Sequence, residues 1–167
     1  MTVEVGDLAP DFSLPATWGE NLARSEKDTP LLPDHQVVSL ASYRGSKNVL
    51  LMFYPLDWSP VCSAEHKKCS SMFPHVCDSV QILGVSVDSI WSHNAYAKAY
   101  NIRYPLLADF QPRGAVAQQY GVYLVDLGIA ARTAFLIDKS GRVKLVVNAA
   151  IPDERKIDLL VREAASA

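Results

Sequence analysis

The stretch Phe53-Tyr54-Pro55-Leu56-Asp57-Trp58-Ser59-Pro60-Val61-Cys62-Ser63-Ala64-Glu65 decides how the rest of the chain is read. Before it, the apolar run Asn48 to Phe53 has the length and composition of a buried parallel strand. After it, Cys62 to Phe73 reads as a helix. Ser59 suits the N-cap and Pro60 the first helical position, which puts Cys62 in the first turn. A thiol there faces backbone N–H groups that lack intrahelical partners and the positive end of the helix dipole, and both favour the thiolate. The rival reading is an inert buried cysteine beside an ordinary cap.

Working outward, Gly6 to Leu14 alternates like a short edge strand. The pattern lapses around 16–36, a stretch with Trp18, a charged run, Pro30 and Pro33, and reads as a surface insertion. Val37 to Leu40 resumes as a strand, and Tyr43-Arg44-Gly45-Ser46 turns into the run at Asn48. Downstream, Val80 to Val87 is a second buried strand, Ser89 to Tyr100 a helix and Pro105 to Ala108 a short strand. Gly114 to Tyr120 is a short helix with Gly121 as its cap. Arg132 to Asp138 and Arg142 to Asn148 form a hairpin across Lys139-Ser140-Gly141. Pro152 opens a final helix with Ile157, Leu160, Val161 and Ala164 on one face. The order βαβα, then a hairpin and a helix, describes an α/β chain with a central mixed sheet flanked by helices.

At 167 residues the chain suits one domain over 1–167. A net charge of −2 with both signs scattered recommends neither nucleic acid nor an anionic membrane as partner. The first residues lack the basic region and apolar core of a secretory signal, and no apolar run is long enough to span a bilayer. Three cysteines make no disulfide scaffold, so the setting is read as reducing and cytoplasmic, with cysteine present for chemistry.

Pro55-x-x-x-Ser59-x-x-Cys62 resembles the active-site motif of the peroxiredoxins, whose last residue is the peroxidatic cysteine. The resemblance covers nearly the whole chain apart from the insertion, and it implies a thioredoxin-like fold with an N-terminal hairpin extension. Asp109-Phe110-x-Pro112-x-Gly114-Ala115-Val116, Tyr120-Gly121-Val122 and Gly128-Ile129-Ala130-x-Arg132 look most like the one-cysteine AhpE branch of bacterial peroxiredoxins. The family usually has threonine where Ser59 stands; serine keeps the hydroxyl donor but not the methyl that stiffens it.

The implied activity is reduction of hydrogen peroxide, organic hydroperoxides or peroxynitrite through a sulfenic acid at Cys62, with no cofactor. The resemblance implies recycling by a low-molecular-weight thiol or a thioredoxin- or glutaredoxin-like protein. Acidity alone cannot make such a site fast, because a less basic thiolate is also a poorer nucleophile. The departing oxygen needs aimed donors. By resemblance these are Ser59 and Arg132, with Pro55 shielding the pocket. Glu65, three residues after Cys62, either orients Arg132 or serves the helix dipole. Asp57 would oppose a thiolate and is expected to point to solvent.

Cys69 and Cys77 are candidates to resolve the sulfenic acid as an internal disulfide. Cys69 lies seven residues along the helix, roughly 10 Å, whereas bridged Cα atoms lie within about 7 Å. A one-cysteine mechanism is preferred. Two further readings stay open: a metal-binding module using Cys62, His66, Cys69, His75 and Cys77, and a redox-inactive interaction protein on the same fold. A homodimer is expected, with exposed Trp58 and Phe110 as interface anchors.

Overall fold

The computed structural model describes residues 2–19 and 34–167, so the insertion expected around 16–36 falls mostly outside the described residues. The strands are β1 (Ser13–Ala16), β2 (Gln36–Ser39), β3 (Asn48–Phe53), β4 (Val80–Ser86), β5 (Leu106–Ala108), β6 (Tyr123–Leu124), β7 (Ile129–Ala130), β8 (Arg132–Ile137) and β9 (Val143–Ala149). The helices are α1 (Pro60–Met72), α2 (Ile90–Tyr100), α3 (Ala115–Gln119) and α4 (Ile157–Ser166). Seven strands form one sheet in the order β2-β1-β5-β4-β3-β8-β9, and β6 and β7 make a separate ribbon. The pairs β3–β4 and β4–β5 are parallel, and β3–β8 and β8–β9 antiparallel, which gives the mixed sheet expected. The N-terminal extension is an antiparallel β1–β2 pair, with Ser13 opposite Ser39.

Every residue of β3 and β4 is buried because both sheet faces are covered. Val49, Leu51 and Phe53 pack with Leu83, Val85, Phe135 and Tyr120 on one side. Leu50 and Met52 pack on the other against Cys62 and Cys69 of α1, Tyr96 of α2, and Leu160 and Val161 of α4. The period-two alternation of a strand thus sends consecutive residues into two separate cores. The second core is the one that holds Cys62.

Two boundaries differ from expectation. The first strand starts at Ser13 and not near Gly6, with Leu8 making only an isolated bridge to Arg142. Pro152 does not open the last helix. It lies in a turn, and α4 begins at Ile157, although Ile157, Leu160, Val161 and Ala164 form its buried face as expected. The intervening residues instead reach back into the sheet, as described below.

Asn48 ties the start of β3 to two distant elements. Its side-chain N–H donates to the Ala164 carbonyl at 3.0 Å, and its Oδ1 accepts from the Lys139 N–H at 3.1 Å. Asn48→Leu keeps the volume but strands both partners, so it should destabilise the protein by about 2–3 kcal/mol. Urea unfolding should show this as a lower midpoint at an unchanged slope.

Candidate active site

Cys62 stands at the third position of α1, after Ser59 at the N-cap and Pro60 at N1, and its side chain is fully buried. The Ser59 backbone performs the expected start, with its carbonyl accepting from the Ser63 N–H at 2.9 Å. Its side chain does not cap the helix. The Ser59 hydroxyl donates instead to the Leu56 carbonyl at 3.0 Å, closing the loop in front of the helix. Pro55 is buried at the start of that loop.

Arg132, the first residue of β8, is 1% exposed, which overturns the usual expectation for a guanidinium at a strand start. Its Nη2 lies 3.4 Å from Cys62 Sγ, and Nε and Nη2 also donate to the Ile151 carbonyl at 3.1 and 2.7 Å. Its Nη1 donates to Glu65 Oε1 at 3.3 Å. Glu65 is thus in contact with Arg132 and sits in the second turn of α1, past the reach of the helix dipole.

A second arginine completes the cluster and was not foreseen from sequence. Arg155 is 4% exposed; its N–H and Nε donate to the two Glu65 oxygens at 2.9 Å each, and its Nη2 also bonds Oε2. Its Nη1 donates to the Phe53 carbonyl at 3.0 Å, locking the end of β3. The turn that Pro152 suggested as a helix start exists to deliver this residue. Two buried cations face one carboxylate, leaving one positive charge beside Cys62 Sγ that a thiolate would balance.

Asp57 does not point to solvent. It is 6% exposed, and its carboxylate faces three partners: the Tyr54 hydroxyl at 2.7 Å, the Ser92 hydroxyl at 2.8 Å and His93 Nδ1 at 2.8 Å. The charge that would oppose a thiolate is thus held by an imidazole from α2. His93 was also absent from the sequence reading.

Below Cys62 the cluster turns aromatic. The Tyr54 ring stands edge-on to His66 at 4.4 Å between centroids, and His66 Nδ1 shares a 2.6 Å hydrogen bond with the Tyr104 hydroxyl. Gly84 makes this packing possible, since a Cβ there would lie 2.7 Å from Leu106 Cδ2 and 3.3 Å from His66 Cε1. Cys69 is fully buried, its thiol 3.6 Å from Met52 Sδ, and burial pushes that thiol up to about 12. Cys77 is partly exposed after the 3-10 turn Phe73–His75. Among the described residues, no three His, Cys, Asp or Glu side chains converge in a metal-ligating group.

Residues 5–146 match the AhpC/TSA family. The chain is 36% identical over 143 residues to alkyl hydroperoxide reductase E of Mycobacterium tuberculosis, covering 85% of this chain and 83% of that protein. The reduced 2-Cys peroxiredoxin of Plasmodium vivax superposes with a TM-score of 0.81 at 30% identity, over 97% of this chain and 94% of the other. AhpC of Mycobacterium tuberculosis superposes with a TM-score of 0.84 at 27% identity, over 100% and 93% of the two chains.

Burial also sets a pH dependence. His66 is held down to about 3 from the usual 6.5, chiefly by desolvation, so the folded protein keeps it neutral. The unfolded chain takes up that proton below its ordinary value while the native state does not. The stability that neutral His66 permits is whole above about 6.5 and falls as pH drops toward 3, by up to about 1.4 kcal/mol per pH unit. His66→Leu should flatten the acid limb of a stability–pH profile measured by urea unfolding.

Proposed function

Because the chain belongs to the AhpC/TSA family of peroxiredoxins, thiol-dependent peroxidases on a thioredoxin-like fold, we propose that Cys62 is its peroxidatic nucleophile. The observation that carries this is Arg132 Nη2 at 3.4 Å from a Cys62 Sγ buried in the first turn of α1. The thiolate attacks the terminal peroxide oxygen; an S–O bond forms and the O–O bond breaks. The electron pair leaves on the second oxygen, which takes up a proton and departs as water or an alcohol, or, from peroxynitrite, departs as nitrite. Sulfur is oxidised to sulfenic acid and the peroxide is reduced.

As negative charge passes from sulfur to the leaving oxygen, the fixed guanidinium of Arg132 stays in place to meet it. Ser59, once its hydroxyl turns from the Leu56 carbonyl, supplies a second donor. Pro55 has no N–H and shields the pocket without competing for the peroxide, and Glu65 keeps Arg132 aimed. The single catalytic domain of 1–167 works in the cytoplasm as a homodimer. Half-exposed Trp58 and Phe110 support that reading as anchors.

The one-cysteine route is supported by Cys69, whose buried, hard-to-ionise thiol is a poor resolving group. An external thiol, either small or on a thioredoxin- or glutaredoxin-like protein, then reduces Cys62. Alkyl hydroperoxide reductase E of M. tuberculosis is named for organic hydroperoxides, and this chain's substrates are proposed to include them beside hydrogen peroxide and peroxynitrite.

Stopped-flow peroxide consumption should vanish in Cys62→Ser while the fold survives; a near-wild-type rate would refute the assignment. Arg132→Lys keeps the charge but loses the planar fork, so its rate should fall by about 10²–10³-fold if the lost donor acts like one of an oxyanion hole. After one equivalent of peroxide without reductant, mass spectrometry should show one added oxygen on Cys62. A Cys62–Cys69 or Cys62–Cys77 disulfide would replace the one-cysteine route with a two-cysteine one.

A further inference from the structure

We propose that the buried Asp57–His93 pair is a positioning clasp that holds the active-site loop, and with it Cys62, in reactive register; this rests on the peroxidase reading. The loop between β3 and α1 carries Pro55, Leu56, Asp57, Trp58 and Ser59, tied locally by the Ser59 hydroxyl to the Leu56 carbonyl. Trp58 has φ of +69°, a left-handed conformation that side chains with a Cβ disfavour. Such a backbone persists only where its surroundings over-determine it.

The surroundings here belong to the second layer of the fold. His93 is fully buried on α2; Nδ1 faces Asp57 Oδ2 at 2.8 Å and Nε2 faces the Leu107 carbonyl of β5 at 3.0 Å. With one ring nitrogen against the loop carboxylate and the other against the strand carbonyl, the ring links loop, helix and sheet. The Asp57 N–H donates to Asp88 Oδ2 at 2.9 Å, and Ser86 also donates to Asp88. Ser92 donates to Asp57 and accepts from Trp58 Nε1 at 3.2 Å. The Trp58 ring packs on Tyr96 and Tyr100 at 5.2 and 6.0 Å between centroids. Tyr96 in turn shares a 3.0 Å hydrogen bond with Ser63, the residue after Cys62. The residue pair thus fixes both the entry to α1 and the angle of its first turn, without touching the sulfur.

A loop out of register should leave Cys62 chemically competent but misaligned with Arg132. Asp57→Ala and His93→Leu should each slow peroxide oxidation of Cys62 by up to about 10²-fold, the scale of a misplacement near 1 Å. Alkylation of Cys62 by iodoacetamide should fall far less than peroxide oxidation, since it needs the thiolate but no donor aligned on a departing oxygen. Asp57→Asn keeps the shape, with imidazole Nδ1 now accepting from the amide, and should retain most of the rate. In protein carrying 5-fluorotryptophan, the ¹⁹F resonance of Trp58, assigned with Trp58→Phe, should move in Asp57→Ala and stay in Asp57→Asn. Wild-type peroxide rates in folded Asp57→Ala and His93→Leu would overturn the clasp, as would alkylation falling in step with peroxide reduction. Should either variant not fold, Ser92→Ala replaces it: a slower peroxide rate with a moved Trp58 resonance is expected, and no change in either overturns the proposal. If the wild-type protein consumes no peroxide, the peroxidase reading fails; an unmoved Trp58 resonance in Asp57→Ala overturns the clasp separately.

Discussion

The Glu65 carboxylate, held between the guanidiniums of Arg132 and Arg155, is the interaction on which the rest of the site depends. Burying ions is costly, and removing one partner of a buried set leaves the others uncompensated. Here the set ties together three elements around the sulfur and the segment before α4: Glu65 comes from α1, Arg132 from β8, and Arg155 from the segment before α4 while bonding the end of β3. The sheet order places β8 beside β3 and so sets Arg132 against the first turn of α1. Topology thus supplies what local sequence lacks, a cation aimed at a specific thiol.

The site has two supports of different character. On one side lies the ionic cluster just described; on the other, the Asp57–His93 pair and the aromatic stack of Trp58, Tyr96 and Tyr100 grip the loop. Between them, the floor of Tyr54, His66 and Tyr104 stays neutral because His66 is too deeply buried to ionise near neutral pH. A protonated His66 would add a third buried cation beside Arg132 and Arg155, with only the Glu65 carboxylate between them to balance it. Keeping it neutral leaves the guanidinium to the sulfur and the carboxylate.

What was legible in the sequence was local. The apolar run of β3, the Ser59-Pro60 helix start and the buried face of α4 each follow from patterns a few residues long, and each stands in the structure. The missed features depend on partners far along the chain. Asp57 was read as solvent-facing because a lone carboxylate near a thiolate is unfavourable, yet His93 meets it from 36 residues away. Arg155 lies 90 residues from Glu65 and follows a proline that mimics a helix start. No periodicity encodes such pairings. The Arg132 placement was reachable only through the family resemblance, since an arginine at a strand start is ordinarily a surface residue.

The complete burial of the Cys62 sulfur, noted first as a matter of packing, also governs how this protein would register in chemical surveys of reactive thiols. Hydrogen peroxide is little larger than water, whereas maleimides, fluorophore-bearing iodoacetamides and similar bulky tags need the first turn of α1 to part before they reach the sulfur. Their labelling speed would then measure how often the helix start opens, and only indirectly how nucleophilic the thiolate is. The partly exposed Cys77 would be tagged first in such a survey. Ranking the three cysteines by reagent uptake would therefore order them by exposure, with Cys62 behind Cys77.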